Sequence, residues 1–371
     1  MKIEKINKEE FENNALKPKS NKKLIIGGIV IALLAIGFFV IPKILANFNK
    51  KEIVCLNGQT EIYEKYKDAV VLVEHHYVYE ISIKGSKSFQ IESSEDFLTE
   101  KGVYGTGFFV SQDAKIVTNH HVAEPWNTVE GHENTENSVK QMIAEILPDS
   151  IPENQYKSYL EEHISDYYGQ DSSEDYYDDG VQVATDSLKQ DSTAVATAEV
   201  VVKDFKKVSI NDITLTPKST SIRVAVHGSN DKWLDCEVIK IAENEEVDVA
   251  VLQLKDKKLP SSVINVIDLS TAFSNDEELK PGSNAILIGY PMGMTLANTN
   301  KGIKVQVYEG QINKESDGIR IQYNITSTHG ASGSPVFNQC GQLIAVNYAG
   351  YDEAQGYNFG IVAKHALELV E

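Results

Sequence analysis

Cysteine is scarce in this chain and positive charge is outnumbered, and each shortage excludes a class of protein. The three cysteines, Cys55, Cys236 and Cys340, form no C-x-x-C pair, so neither a disulfide framework nor a familiar zinc spacing is implied. One pair among the three stays open, Cys236 with Cys340 included, and stability has to come mainly from a packed core. The formal charge of −19 sets a like-signed surface against any phosphate backbone, and no basic patch lies outside the N-terminal tail. A nucleic-acid partner is therefore not expected. Long helical periods are also few, although 42% apolar content over 371 residues is ample for a globular core.

One long apolar run is present. Residues 24–41, LIIGGIVIALLAIGFFVI, are uncharged and show no polar face, close to the roughly 20 residues that a bilayer-spanning helix needs. A cleaved signal peptide would carry a shorter apolar region and a small-x-small site, whereas Ile44 stands where a small residue is preferred, so an uncleaved anchor is the favoured reading. Lys17, Lys19, Lys22 and Lys23 precede the span and Lys43, Lys50 and Lys51 follow it, a bias that predicts the N-terminus inside. The expected organisation is a cytoplasmic tail (1–23), a transmembrane signal-anchor helix (24–46) meeting the lipid bilayer, a stalk (47–60) and an extracytoplasmic domain (61–371).

The rest reads as short runs of Val, Ile, Tyr and Phe separated by turn residues, at 69–83, 105–110, 114–119, 221–228, 235–243, 248–254, 284–290, 318–326 and 342–348. So many closely spaced strands predict an all-β barrel or sandwich, closed by a short terminal helix over 361–370. Residues 126–180 break the rhythm with 14 Asp or Glu against Lys140 and Lys157. Val139, Ile143 and Ile146 there have helical spacing, while 167–180 reads as a solvated loop. An EF-hand beginning at Asp171 fails because Tyr176 stands where that loop needs Gly, so no metal site is expected.

Three segments carry chemistry in combination. Nucleophilic acyl transfer needs a hydroxyl, a base beside it, a carboxylate orienting that base, and backbone donors for the oxyanion. GTGFFVSQDAKIVTNHHVA (105–123) places His120 and His121 after a strand, DVAVLQL starts at Asp248, and THGASGSPVF (328–337) surrounds Ser332 with glycines. The order His, Asp, Ser excludes the α/β-hydrolase arrangement, in which the Ser comes first.

These segments resemble those of trypsin-like serine peptidases of the chymotrypsin clan, in the bacterial branch of HtrA-type proteases and glutamyl endopeptidases. Gly105 to Phe108 matches its G-x-G-F strand, Thr118 to Val122 its T-N-x-H-V, Asp248 to Leu252 its D-x-A-v-L, and Gly330 to Pro335 its G-N-S-G-[GS]-P. The resemblance implies a double β-barrel and a peptide-bond hydrolase acting on protein or peptide substrates without a cofactor. It assigns His121 as general base, Asp248 as its orienting carboxylate, Ser332 as nucleophile, and the N–H groups of Gly330 and Ser332 as the oxyanion hole. His120 falls at the variable position of the motif. Thr326, Asn347, Tyr348 and Ala349 align with the substrate pocket, and Thr326 with Asn347 implies a polar, uncharged one. HtrA proteins usually carry a PDZ domain after the protease domain. About forty residues follow Ser332, so none is expected here, and homo-oligomer formation is left open.

Overall fold

The computed structural model describes residues 55–91, 101–126, 133–171, 206–230, 232–273, 275–351 and 354–371. β-Branched and aromatic residues alternating across a pleat form strands with one face buried. Twelve such strands close into two antiparallel barrels. The first contains β1 (Val70–Ile83), β2 (Lys101–Phe109), β3 (Lys115–Thr118), β4 (Ile213–Val226), β5 (Leu234–Ile241) and β6 (Ala250–Leu254), in the order β1-β2-β3-β6-β5-β4. The second contains β7 (Asn284–Gly289), β8 (Gln306–Lys314), β9 (Arg320–Tyr323), β10 (Pro335–Phe337), β11 (Leu343–Tyr351) and β12 (Ala354–Val362), in the order β10-β11-β12-β9-β8-β7. Closure leaves no long open edge in either sheet. The all-β double barrel expected from the sequence is therefore observed, with a few helices added.

One apolar cluster runs through both barrels, from Val70, Leu72, Phe108 and Leu252 to Ile286, Tyr290 and Phe337. Helix α1 (Gln59–Tyr66) buries Ile62 and Tyr66 in it, and the Tyr66 ring stacks on Phe337 with centroids 5.0 Å apart. The end of the stretch read as a stalk thus leads directly into packed structure. The terminal helix α5 (Ala363–Val370) buries Ala363, Ala366 and Leu369, and its Lys364 pairs with Asp276 at 2.8 Å.

The acidic segment has its own apolar seat. Strands β1 and β4 stay paired as far as Ile83 opposite Ile213, forming a ribbon at one end of the first barrel. Helices α3 (Glu133–Ile146) and α4 (Tyr156–Asp171) cover it, packing Val139, Met142, Ile143, Leu160 and Ile164 against Tyr77, Tyr79, Ile81 and Ile83. Where a loop was expected from residue 167, α4 continues to Asp171; residues 172–205 lie outside the described residues. The transmembrane reading of residues 24–46 also falls outside them. Among the described residues no helix is long and apolar enough to cross a membrane.

Cys55 and Cys340 form a disulfide across 285 residues of sequence, and Cys236 is free and buried. Of the pairings open on sequence, Cys236 with Cys340 is therefore not the one formed. The bond ties the chain just before α1 to the turn between β10 and β11, where Leu56 N–H also donates to the Cys340 carbonyl at 3.2 Å. Such a link typically contributes about 2–4 kcal/mol by restricting the unfolded chain. Reduction, or the substitution Cys55→Ser, is expected to lower the unfolding free energy by about that amount, read from urea transitions with and without reductant.

Candidate active site

The pairing of β3 with β6 brings the first two site segments together. Thr118 lies opposite Ala250, so the residues following β3 meet those preceding β6. Asn119 caps the short helix α2 (His120–Ala123), and its buried amide donates to the Asp248 carbonyl at 2.7 Å. Asp248 in turn accepts the His121 N–H at 3.0 Å through Oδ1 and faces His121 Nδ1 at 2.7 Å through Oδ2. An ionised carboxylate only accepts, so Nδ1 carries the hydrogen and Nε2 is left as the proton acceptor.

Burial is the largest influence on the Asp248 carboxyl and pushes its pKa up. The attraction of His121, its two hydrogen bonds and the smaller attraction of His120 together outweigh it, and the pKa lies below the ordinary carboxylate value. His120 is turned the other way, with Nε2 3.2 Å from Glu124 Oε2.

A histidine that motif matching passed over supports α2 from behind. His75 is buried, with Nδ1 3.2 Å from the Val122 carbonyl and Nε2 2.8 Å from Ser219 Oγ. Burial pushes its pKa down, so the ring is held neutral, donating to Val122 and accepting from Ser219. The His75 ring also meets Trp126 edge-on at 5.6 Å, and Trp126 packs against the cluster beneath α3 and α4. The insertion's seat therefore abuts the helix that carries His121.

Ser332 arrives from the second barrel on a turn that only glycines permit. Gly330 (φ 89°) and Gly333 (φ 87°) are both left-handed, and neither has room for a side chain. A Cβ on Gly330 would lie 2.5 Å from Gly293 N, and one on Gly333 would lie 1.9 Å from the Thr106 carbonyl. Thr106, on β2 of the first barrel, clamps this turn. Its N–H donates to the Ser332 carbonyl at 2.7 Å and its hydroxyl to the Gly330 carbonyl at 2.8 Å. The N–H groups of Gly330 and Ser332, by contrast, donate no hydrogen bond among the described residues. Ser332 Oγ rests on the Tyr348 carbonyl at 3.4 Å, and no hydrogen bond joins it to His121.

The four expected pocket residues separate. Thr326 is exposed, and Ser327 beside it is half-buried. Asn347 is 1% exposed, with every polar atom of its side chain bonded: Oδ1 accepts from Tyr323 OH at 2.7 Å, and Nδ2 donates to Ser327 Oγ at 3.1 Å and to the Ala331 carbonyl at 3.0 Å. Tyr348 and Ala349 lie on β11 where its register against β12 shifts. Ser334 is also fully buried, and its hydroxyl has no partner among the described residues. A Cβ on Gly289 would lie 1.9 Å from that hydroxyl.

Two closed antiparallel barrels, a His–Asp pair at the ends of one and a glycine-framed Ser turn from the other define a double β-barrel of the chymotrypsin type. Residues 180–346, which include Asp248 and Ser332, match the family described as the trypsin-like peptidase domain. Relatives from both branches expected from the motifs are found. A glutamyl endopeptidase of Staphylococcus epidermidis is 27% identical over 147 residues, covering 38% of this chain and 49% of that protein. The serine protease HTRA1 of Xenopus laevis is 27% identical over 165 residues, covering 43% of this chain and 32% of that protein. The matches thus span half or less of the length of these curated relatives. Among solved structures, a serine endoprotease from Yersinia pestis is matched over 83% of this chain and 63% of its own, at 14% identity and a TM-score of 0.38.

The lowered Asp248 pKa makes a pH prediction. A carboxylate held below its unfolded value stabilises the fold above that value, and the contribution is lost as pH falls through the folded pKa. The loss should therefore begin near the ordinary value of 3.8 and continue below it. Unfolding free energies measured between about pH 2 and 6 should fall more steeply on the acid side in the native protein than in Asp248→Asn.

Proposed function

We propose that the chain is a membrane-anchored, extracytoplasmic serine endopeptidase that hydrolyses peptide bonds through an acyl-enzyme. The observation that carries this reading is the 2.7 Å contact between His121 Nδ1 and Asp248, which leaves Nε2 as base, beside a turn that presents Ser332 with two unpaired N–H groups. In the reaction, Ser332 Oγ attacks the scissile carbonyl carbon as its proton passes to His121 Nε2. The carbonyl oxygen takes up the negative charge and is bound by the N–H groups of Gly330 and Ser332. Collapse of this intermediate breaks the C–N bond, with His121 returning the proton to the leaving amine. A water molecule then repeats the sequence on the ester, and Asp248 stabilises the imidazolium in both halves. The substrate backbone runs beside Tyr348 and Ala349 as an added strand, and the exposed Thr326 supplies a polar, uncharged group to the side-chain pocket.

The disulfide supports the extracytoplasmic side of the reading, because such bonds persist in oxidising compartments. The apolar run at 24–41 and the lysines around it support the anchor. A second reading, a catalytically silent ectodomain that binds rather than cleaves, draws on the position of Ser332 Oγ against the Tyr348 carbonyl. Catalytic hydrogen bonds often form only once substrate is bound, so this position equally describes a resting enzyme.

Covalent labelling separates the two. A fluorophosphonate is expected to modify Ser332 in the native protein and to leave Ser332→Ala unmodified. Peptidase activity should fall by about 10⁴-fold or more in His121→Ala while most of it survives in His120→Ala. A folded protein that never labels, with or without peptide present, or equal losses in the two histidine variants, would overturn the assignment.

A further inference from the structure

In a planar trans peptide the N–H lies opposite the C=O, so whatever holds the carbonyl also fixes where the N–H points. Among the described residues no cis peptide interrupts this relation. The Gly330 N–H shares its peptide with the His329 carbonyl, which accepts from Met292 N–H at 2.7 Å. The Ser332 N–H shares its peptide with the Ala331 carbonyl, which accepts twice, from Ser334 N–H at 3.0 Å and from Asn347 Nδ2 at 3.0 Å. Both lone pairs of that carbonyl are thereby used.

The geometry points to Asn347 as a positioning residue of the oxyanion hole, acting through the Ala331 carbonyl to orient the Ser332 N–H. This inference rests on the reading of Ser332 as nucleophile and replaces the pocket role that alignment gave to Asn347. Three features single out the residue. Its side chain is buried and fully bonded, leaving no polar atom for a substrate side chain. The amide orientation is fixed by its partners, because the Ala331 carbonyl can only accept and so must face the NH2 group. Its backbone grips the same turn, with Asn347 N–H donating to the Ser334 carbonyl at 2.8 Å and the Asn347 carbonyl accepting from Gly333 N–H at 2.7 Å. Tyr323 OH at Oδ1 and Ser327 Oγ at Nδ2 hold the amide in plane. Asn347 thus braces the nucleophile turn from the second barrel as Thr106 does from the first.

The test is made on the full chain with Asn347→Leu, which keeps the volume and removes the donor, and with Asn347→Asp, which keeps the shape and turns a carboxylate oxygen toward Ala331. A peptide trifluoromethyl ketone carrying 13C at the ketone carbon forms a hemiketal with Ser332, and its chemical shift reports the pH at which the hemiketal oxygen ionises. Loss of orientation of one donor should lower kcat by about tenfold to a hundredfold with KM little changed. It should also raise the hemiketal ionisation by about one to two pH units. Hemiketal ionisation at the native pH in any variant that retains a cooperative melting transition overturns the inference, as does a raised KM with altered cleavage preference and unchanged kcat, the signature of a pocket residue. If neither variant folds, its role is structural and the inference also fails. Failure of the native protein to form the hemiketal would instead overturn the nucleophile reading, and this inference with it.

Discussion

The contact between Thr106 and the Ser332 turn is the constraint on which the rest of the arrangement depends. His121 and Asp248 belong to the first barrel and Ser332 to the second, so their relation is set where the barrels meet. Thr106 uses its N–H for the Ser332 carbonyl and its hydroxyl for the Gly330 carbonyl. The same hydroxyl accepts Tyr290 N–H at 3.0 Å, and the Thr106 carbonyl accepts from Thr118 Oγ1 at 2.7 Å, one residue before the Asn119 cap. A single buried strand residue therefore links the segment leading to the base with the turn holding the nucleophile. Leaving any of these buried groups unpaired would cost about 1–3 kcal/mol, so the register of one barrel against the other is strongly specified.

The His121–Asp248 pair shows a second economy of placement. A carboxylate partly removed from water is unfavourable on its own, and here the cost is offset by two donors from the residue it serves. The backbone N–H of His121 fixes one oxygen, which directs the other at the imidazole. Asn119 holds the Asp248 backbone, and His75 holds the far end of α2. Both partners are thus fixed through the main chain as well as through their side chains, so the ring orientation does not rest on one contact.

The sequence was legible where local chemistry dictates local structure. Glycines at 330 and 333, the T-N-x-H-V string and the strand-opening Asp248 each bear a physical requirement on their face, and the alternating runs foretold most of the first barrel. Strands β8, β10 and β12 were missed. Strand β10 is only three residues long, and β8 (QVYEGQINK) and β12 (AQGYNFGIV) are interrupted by polar and glycine positions, so neither shows the clean apolar alternation of a half-buried strand. The disulfide was not readable because Cys55 and Cys340 are brought together only by the packing of α1 on the second barrel. The apolar seat of α3 and α4 was likewise hidden, since the acidic composition describes their outer faces and the ribbon they cover is made of β1, which precedes them, and β4, which follows them. Alignment placed Thr326 and Asn347 together in a pocket; burial separates them, one into solvent and one beneath the nucleophile, because neighbouring motif positions do not specify which way a side chain turns.

The Cys55–Cys340 bond also changes how the domain would bear tension. A pull on the chain from its N-terminal side reaches Cys55 before it reaches α1, and there it divides, part passing through sulfur into the turn between β10 and β11. Helix α1 cannot be peeled away from the end, because the covalent bond shields it. The segment from Cys340 onward, with β11 and β12, therefore shares that load from the start, whereas α1 is reached only through the chain beyond the bond.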